Sequence, residues 1–199
     1  MFKRKILSKL EAWKQDERHK PLILRGARQV GKTTVVNEFS SQFDNYLYFN
    51  LEMSESVRLF EMDIPLNDLV NMLFASLGKP QKEGSTLIFI DEIQNSPKTI
   101  ALLRYFYEQR PDLYVIAAGS LLENLVDVNV SFPVGRVMYL ALRPCSFYEF
   151  LGAIGKNNLL TILSQKAEYS IAFHEQLMHQ FNQYTIIGGM PEAVQHYAE

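Results

Sequence analysis

The chain has 199 residues, 47% of them hydrophobic, enough to bury one substantial core and a small satellite. Its 20 Lys and Arg face 22 Asp and Glu, a formal charge of -2, so no global positive field marks nucleic acid or an anionic membrane as partner. The single cysteine, Cys145, excludes an internal disulfide, and no apolar run approaches the roughly 20 residues of a membrane span.

The basic start "MFKRKILSKLEAWKQ" lacks the unbroken apolar core of a signal peptide, so the chain reads as cytoplasmic. Phe2, Ile6, Leu10 and Trp13 recur at helical spacing and predict an amphipathic helix over 2–13. "PLILRG" is an apolar run closed by Gly26 and suits a buried strand. In "KTTVVNEFSSQF", Val36, Phe39 and Phe43 share a helical face, and "YLYFNLE" reads as a second strand. Residues 54–78 read as helix in two pieces split at "DIP". "LIFIDEIQ" supplies a third strand, after which Ser96 at the N-cap and Pro97 at the first helical position open a helix. "LYVIAAGS" is a fourth strand, "LLENLVD" a short helix and "VMYLAL" a fifth strand. Ser146 and Glu149 match a capping box, and helices follow over roughly 157–167 and 172–185.

Strand and helix alternate over the first 145 residues, which predicts an α/β fold with a parallel sheet covered by helices on both faces. The last 50 residues contain no clear strand, so the expected division is a nucleotide-binding domain over 1–152 and a helical appendage over 153–199.

"GARQVGKT", Gly26 to Thr33, fits G-x-x-x-x-G-K-[ST], a pattern that about one random chain in a hundred of this length would contain. It lies between a predicted strand and a predicted helix, as its mechanism requires. Gly26 and Gly31 let the backbone curl so that successive N–H groups point into one hollow at a helix N-terminus. Lys32 is then placed for the β- and γ-phosphates, and the Thr33 hydroxyl for Mg²⁺.

A strand built for burial ends in two adjacent acids, Asp91 and Glu92. Ligands of a doubly wound sheet sit beyond the carboxyl ends of its strands, which places both acids at the mouth that holds the phosphate loop. Asp91 is positioned to hold a water of the Mg²⁺ shell, and Glu92 to orient or deprotonate a water for attack on the γ-phosphate. A divalent cation also offsets the repulsion between adjoining carboxylates. A kinase would exclude water, so this pair favours hydrolysis. Ser120, at the end of the next strand, reads either as a polar contact for the γ-phosphate or attacking water, or as the N-cap of "LLENLVD".

Taken in order, "RGARQVGKTT", "LIFIDEIQ", "AAGSLL", "VGRVMYLALRPCSFYEFL" and "GGMPEAV" resemble the AAA-type P-loop ATPases of bacteria and archaea, relatives of the archaeal and signal-transduction ATPases. The resemblance implies a five-stranded sheet in the order 5-1-4-3-2. It carries the Walker A role to Gly26, Ala27, Arg28, Gln29, Val30, Gly31, Lys32, Thr33 and Thr34, the Walker B roles to Asp91 and Glu92, and a sensor role to Ser120. It also implies that Arg136 reaches a neighbouring subunit's γ-phosphate in a homo-oligomer; the alternative is a strand-edge arginine paired with a surface carboxylate. Pro191 of "GGMPE" corresponds to a proline set against adenine, or simply starts the last helix. Such proteins usually continue into a further C-terminal region. The expected activity is Mg²⁺-dependent ATP hydrolysis that drives or switches an attached domain or partner. The rivals are a nucleotide-operated switch with little hydrolysis and, behind it, a nucleic-acid-stimulated motor.

Overall fold

The computed structural model describes residues 2–120, 133, 135–165 and 170–199. Two compact units are formed: Leu10–Ala27 with Lys32–Leu142, and Met1–Lys9 with Arg28–Gly31 and Arg143–Glu199.

The larger unit is a sheet covered by helices. Its strands are β1 (Leu22–Arg25), β2 (Asn45–Asn50), β3 (Thr86–Asp91), β4 (Leu113–Gly119) and β5 (Met138–Ala141), all parallel, in the order β2-β3-β4-β1-β5. Read from the other edge this is the 5-1-4-3-2 order that the resemblance implies. Strand β3, flanked by β2 and β4, is buried at every position, which is why its sequence reads as an unbroken apolar run up to Asp91. Parallel neighbours need crossovers, and helices α2 (Lys32–Ser40), α3 (Ser54–Phe60), α4 (Leu66–Ser76) and α5 (Pro97–Gln109) supply them.

Each helix buries the stripe that its spacing dictates. Leu66, Leu69, Val70, Leu73 and Phe74 of α4, and Ile100, Leu103 and Phe106 of α5, join Leu47, Phe49, Ile88 and Ile90 of the sheet in one apolar cluster. Fully burying such side chains contributes about 1.5–3 kcal/mol each before the entropic cost. Ser96 caps α5 as its sequence indicates, accepting a bond from the Thr99 N–H at 3.2 Å, and Pro97 takes the first helical position.

The smaller unit is helical: α6 (Phe147–Ala153), α7 (Asn157–Gln165), α8 (Ile171–Ile187) and α9 (Pro191–Ala198). Cys145, Phe150 and Val194 form one buried cluster, and Leu151, Leu159 and Leu177 a second. The Ser146–Glu149 capping box is complete, with Ser146 Oγ accepting from the Glu149 N–H and Glu149 accepting from the Ser146 N–H. Gly189 is required by close approach: a Cβ there would stand 2.4 Å from the Cys145 carbonyl oxygen.

The N-terminal helix α1 spans Ile6–Gln15, so the expected start at Phe2 is corrected. Residues 2–4 stay outside the helix, and there the buried Arg4 side chain bonds Glu149 and the carbonyls of Val30 and Arg143. The first crossover helix ends at Ser40 rather than Phe43, and the expected helix "LLENLVD" lies outside the described residues. None of the described helices is long and apolar enough to cross a membrane.

Candidate functional site

β1, β3 and β4 run side by side in the same direction, with Arg25 opposite Gly119 and Ile90 opposite Ala117. The loops that leave Arg25, Asp91 and Gly119 therefore open on one edge of the sheet, and the candidate residues converge there.

Between β1 and α2 the backbone twice enters the left-handed region, at Gln29 (φ 62°) and Gly31 (φ 88°). The side-chain-bearing Gln29 adopts that conformation at a cost; glycine at 31 does so freely. Lys32, the first residue of α2, is 6% exposed, and its Nζ donates to the carbonyls of Gly26 at 2.9 Å and Ala27 at 3.0 Å. An ammonium is thereby folded over the start of the loop instead of extending into water.

Thr33 Oγ1 donates to Asp91 Oδ2 at 2.6 Å, joining loop and strand residues 58 positions apart. Asp91 Oδ1 accepts from the Glu92 N–H at 3.0 Å. Burial pushes the Asp91 carboxyl above the usual carboxylate range, while the bonds from Thr33 and the Glu92 N–H pull against it.

Glu92 sits in a different setting. Its backbone is left-handed (φ 54°, ψ 44°), the hinge at which the strand breaks into a short 3₁₀ turn over Ile93–Asn95. Its carboxylate Oε2 accepts from the amide of Gln94, whose own Oε1 is buried with no hydrogen-bond partner among the described residues. The Ser120 hydroxyl, just past β4, is likewise buried and unpartnered among them.

Arg136 stands apart from this group. Arg136 precedes β5, whose first residue pairs with Leu22 at the start of β1, so it lies at the opposite edge of the sheet from Asp91. There its Nε bonds Glu108, which Arg104 also bonds, and the guanidinium pulls the Glu108 carboxyl below its ordinary value. This is the surface pairing weighed for that arginine. Pro191 opens α9 at its first turn, and its Cγ lies 3.8 Å from where a Cβ on Gly31 would be, so the proline ring packs beside Gly31.

Gln94 and Arg4 are functional candidates that sequence reasoning missed. Gln94 closes "LIFIDEIQ", two positions after Glu92, a spacing that the 3₁₀ turn makes a contact. Arg4 carries no local signal, since its acceptors lie 26 to 145 positions away.

No curated protein matches the chain. Among solved structures it resembles a Walker-type ATPase of Pyrococcus abyssi at 17% identity, with a TM-score of 0.56, over 100% of this chain and 67% of that one. It also resembles the Drosophila ORC, solved bound to DNA, at 14% identity, with a TM-score of 0.52, over 96% of this chain and 58% of that one. At these identities the likeness is one of fold, and it is the P-loop NTPase fold that the strand order already describes. The family described as "AAA domain" matches residues 18–151, a span that runs from before β1 through the sheet and into α6. With two thirds of its length matched and the loop and acids in register with the fold, the chain belongs to the AAA domain family.

Proposed function

We propose that the chain binds ATP with Mg²⁺ through the Gly26–Thr34 loop and hydrolyses its β–γ phosphoanhydride, the nucleotide state driving or switching an attached domain or partner. The observation that carries this reading is the 2.6 Å bond between Thr33 Oγ1 and Asp91 Oδ2. Two hard oxygen donors side by side are what Mg²⁺ takes from a protein when phosphate and water fill most of its octahedral shell. Among the described residues no cluster of three or more His, Cys, Asp and Glu offers an all-protein cage instead. Mg²⁺ bound there neutralises charge on the phosphate oxygens.

The chain's own residues divide the remaining work. The loop N–H groups and the Lys32 ammonium bind the β- and γ-phosphates. Glu92 takes a proton from the water that attacks the γ-phosphorus, while the bond to the β-phosphate oxygen breaks and ADP leaves. Ser120 offers its hydroxyl, unpartnered among the described residues, to the γ-phosphate or the water, and Pro191 lies against the adenine. Glu92→Gln should bind ATP as the parent does and hydrolyse it about 10²-fold or more slowly, read by nucleotide binding and phosphate release on the same preparation. An unchanged rate of phosphate release would overturn the mechanism.

One observation favours a second reading, a switch that holds ATP and seldom cleaves it. The Glu92 carboxylate is engaged by Gln94. On that reading purified protein retains intact ATP, and Gln94→Ala raises turnover; on the leading reading Gln94→Ala lowers it.

A further inference from the structure

The side chain of Arg4 is charged and 7% exposed, yet all three arms of its guanidinium are committed. Nε donates to Glu149 Oε1 at 2.9 Å, Nη2 to the Arg143 carbonyl at 2.7 Å and Nη1 to the Val30 carbonyl at 3.0 Å. The last acceptor belongs to the phosphate loop. Nη1 also lies 3.8 Å from the Cβ position of Gly31, so the guanidinium flanks the left-handed glycine as well.

The counter-charge is held as firmly as the cation. Besides Arg4, Glu149 Oε1 accepts from the Lys5 N–H at 2.9 Å, and Oε2 accepts from the Ser146 N–H at 2.8 Å and its hydroxyl at 3.0 Å. Four donors on one carboxylate at the capped start of α6 fix the direction in which the guanidinium points. A planar fork donates from three separate nitrogens in fixed directions; an ammonium donates from a single nitrogen on a flexible stem and cannot span the same acceptors.

A phosphate-binding loop works by turning its N–H groups toward the anion, which requires its carbonyls to turn away. A carbonyl free to flip would present its oxygen to the phosphates and repel them. We propose that Arg4 is a positioning residue for nucleotide binding: by holding the Val30 carbonyl out of the loop it presets the N–H cradle for a polyphosphate. This rests on the reading that the Gly26–Thr34 loop binds ATP. Removing a charge-assisted bond that holds one loop carbonyl in the binding arrangement corresponds to about a tenfold loss of affinity.

The test is titration of Mg·ATP into the 199-residue chain and its variants, with hydrogen exchange of the loop amides measured without nucleotide. Arg4→Met and Arg4→Lys should each weaken binding about tenfold and speed exchange over residues 28–33. Arg4→Lys keeps a cation for Glu149, so it serves where Arg4→Met fails to fold. Leu177→Ala, in the second apolar cluster of the helical unit, controls for lost stability: it should lower the melting temperature and leave affinity and loop exchange unchanged. Parent-like affinity and exchange in Arg4→Lys, or equal losses in Leu177→Ala, would overturn the role of Arg4 while leaving the nucleotide reading intact. Absence of Mg·ATP binding to the parent chain would remove both.

Discussion

Asp91 and Glu92 are adjacent carboxylates in unlike surroundings. Asp91 is 4% exposed and bonded by Thr33, whereas Glu92 is half-buried on a left-handed turn and bonded by Gln94. On the proposed mechanism their losses separate. Asp91→Asn removes one charge from the cation's oxygen donors and should raise the Mg²⁺ concentration needed for half-maximal nucleotide binding about 10- to 100-fold, the usual cost of disturbing such a ligand set. Glu92→Gln should leave that requirement where it was, and a Mg²⁺ titration of both variants decides. The difference between the two acids was legible in outline, because one closes the apolar run and the other lies outside it. What could not be read was the partner of each. The Thr33–Asp91 bond spans 58 positions, and only the strand order brings its ends together.

At the scale of elements, the most testable piece is the start of α6. The Glu149 carboxyl is subject to burial, which alone would raise its pKa. The bonds from the Ser146 and Lys5 backbone and from Arg4 outweigh burial and hold it below its ordinary 4.5. A carboxylate depressed in the fold contributes stability that is fully present above its unfolded value and is lost as pH falls through its folded value. Chemical denaturation of Glu149→Gln should therefore show a deficit against the parent at pH 7 that shrinks below about pH 4.5. A deficit independent of pH would mean that the carboxylate's charge is not what stabilises the helix start. The capping box was visible as Ser and Glu three apart, since its bonds are local. Arg4 was counted instead among the residues of a helix expected from Phe2, because periodicity cannot register a side chain recruited from a distance. The same limit shifted the end of α2, whose apolar stripe continues to Phe43 after its backbone bonds stop at Ser40.

At the scale of the whole molecule, the parallel sheet followed from alternation and its strand order from family resemblance, while neither named Glu108 as the partner of Arg136. Its bond to Glu108 places it on the surface at the edge opposite Asp91, so within one chain it cannot serve that site. The proposed homo-oligomeric role therefore needs a second copy, and turnover per site should rise steeply with protein concentration. Arg136→Ala should abolish that rise, since a finger supplied in trans is worth about 10³-fold or more. A flat dependence would leave the arginine as a solvent-screened surface ion pair of little weight for stability.

The left-handed backbone at Glu92 has a consequence for the molecule's melting. A residue with a side chain is held there against a conformational penalty of about 1–2 kcal/mol, which glycine escapes. Glycine introduced elsewhere in a strand or helix costs about 0.5–1 kcal/mol, but Glu92→Gly should melt no lower than the parent while losing hydrolysis. On the proposed mechanism the chain is thus less stable than its own fold permits, at a position where chemistry and conformation ask for different residues.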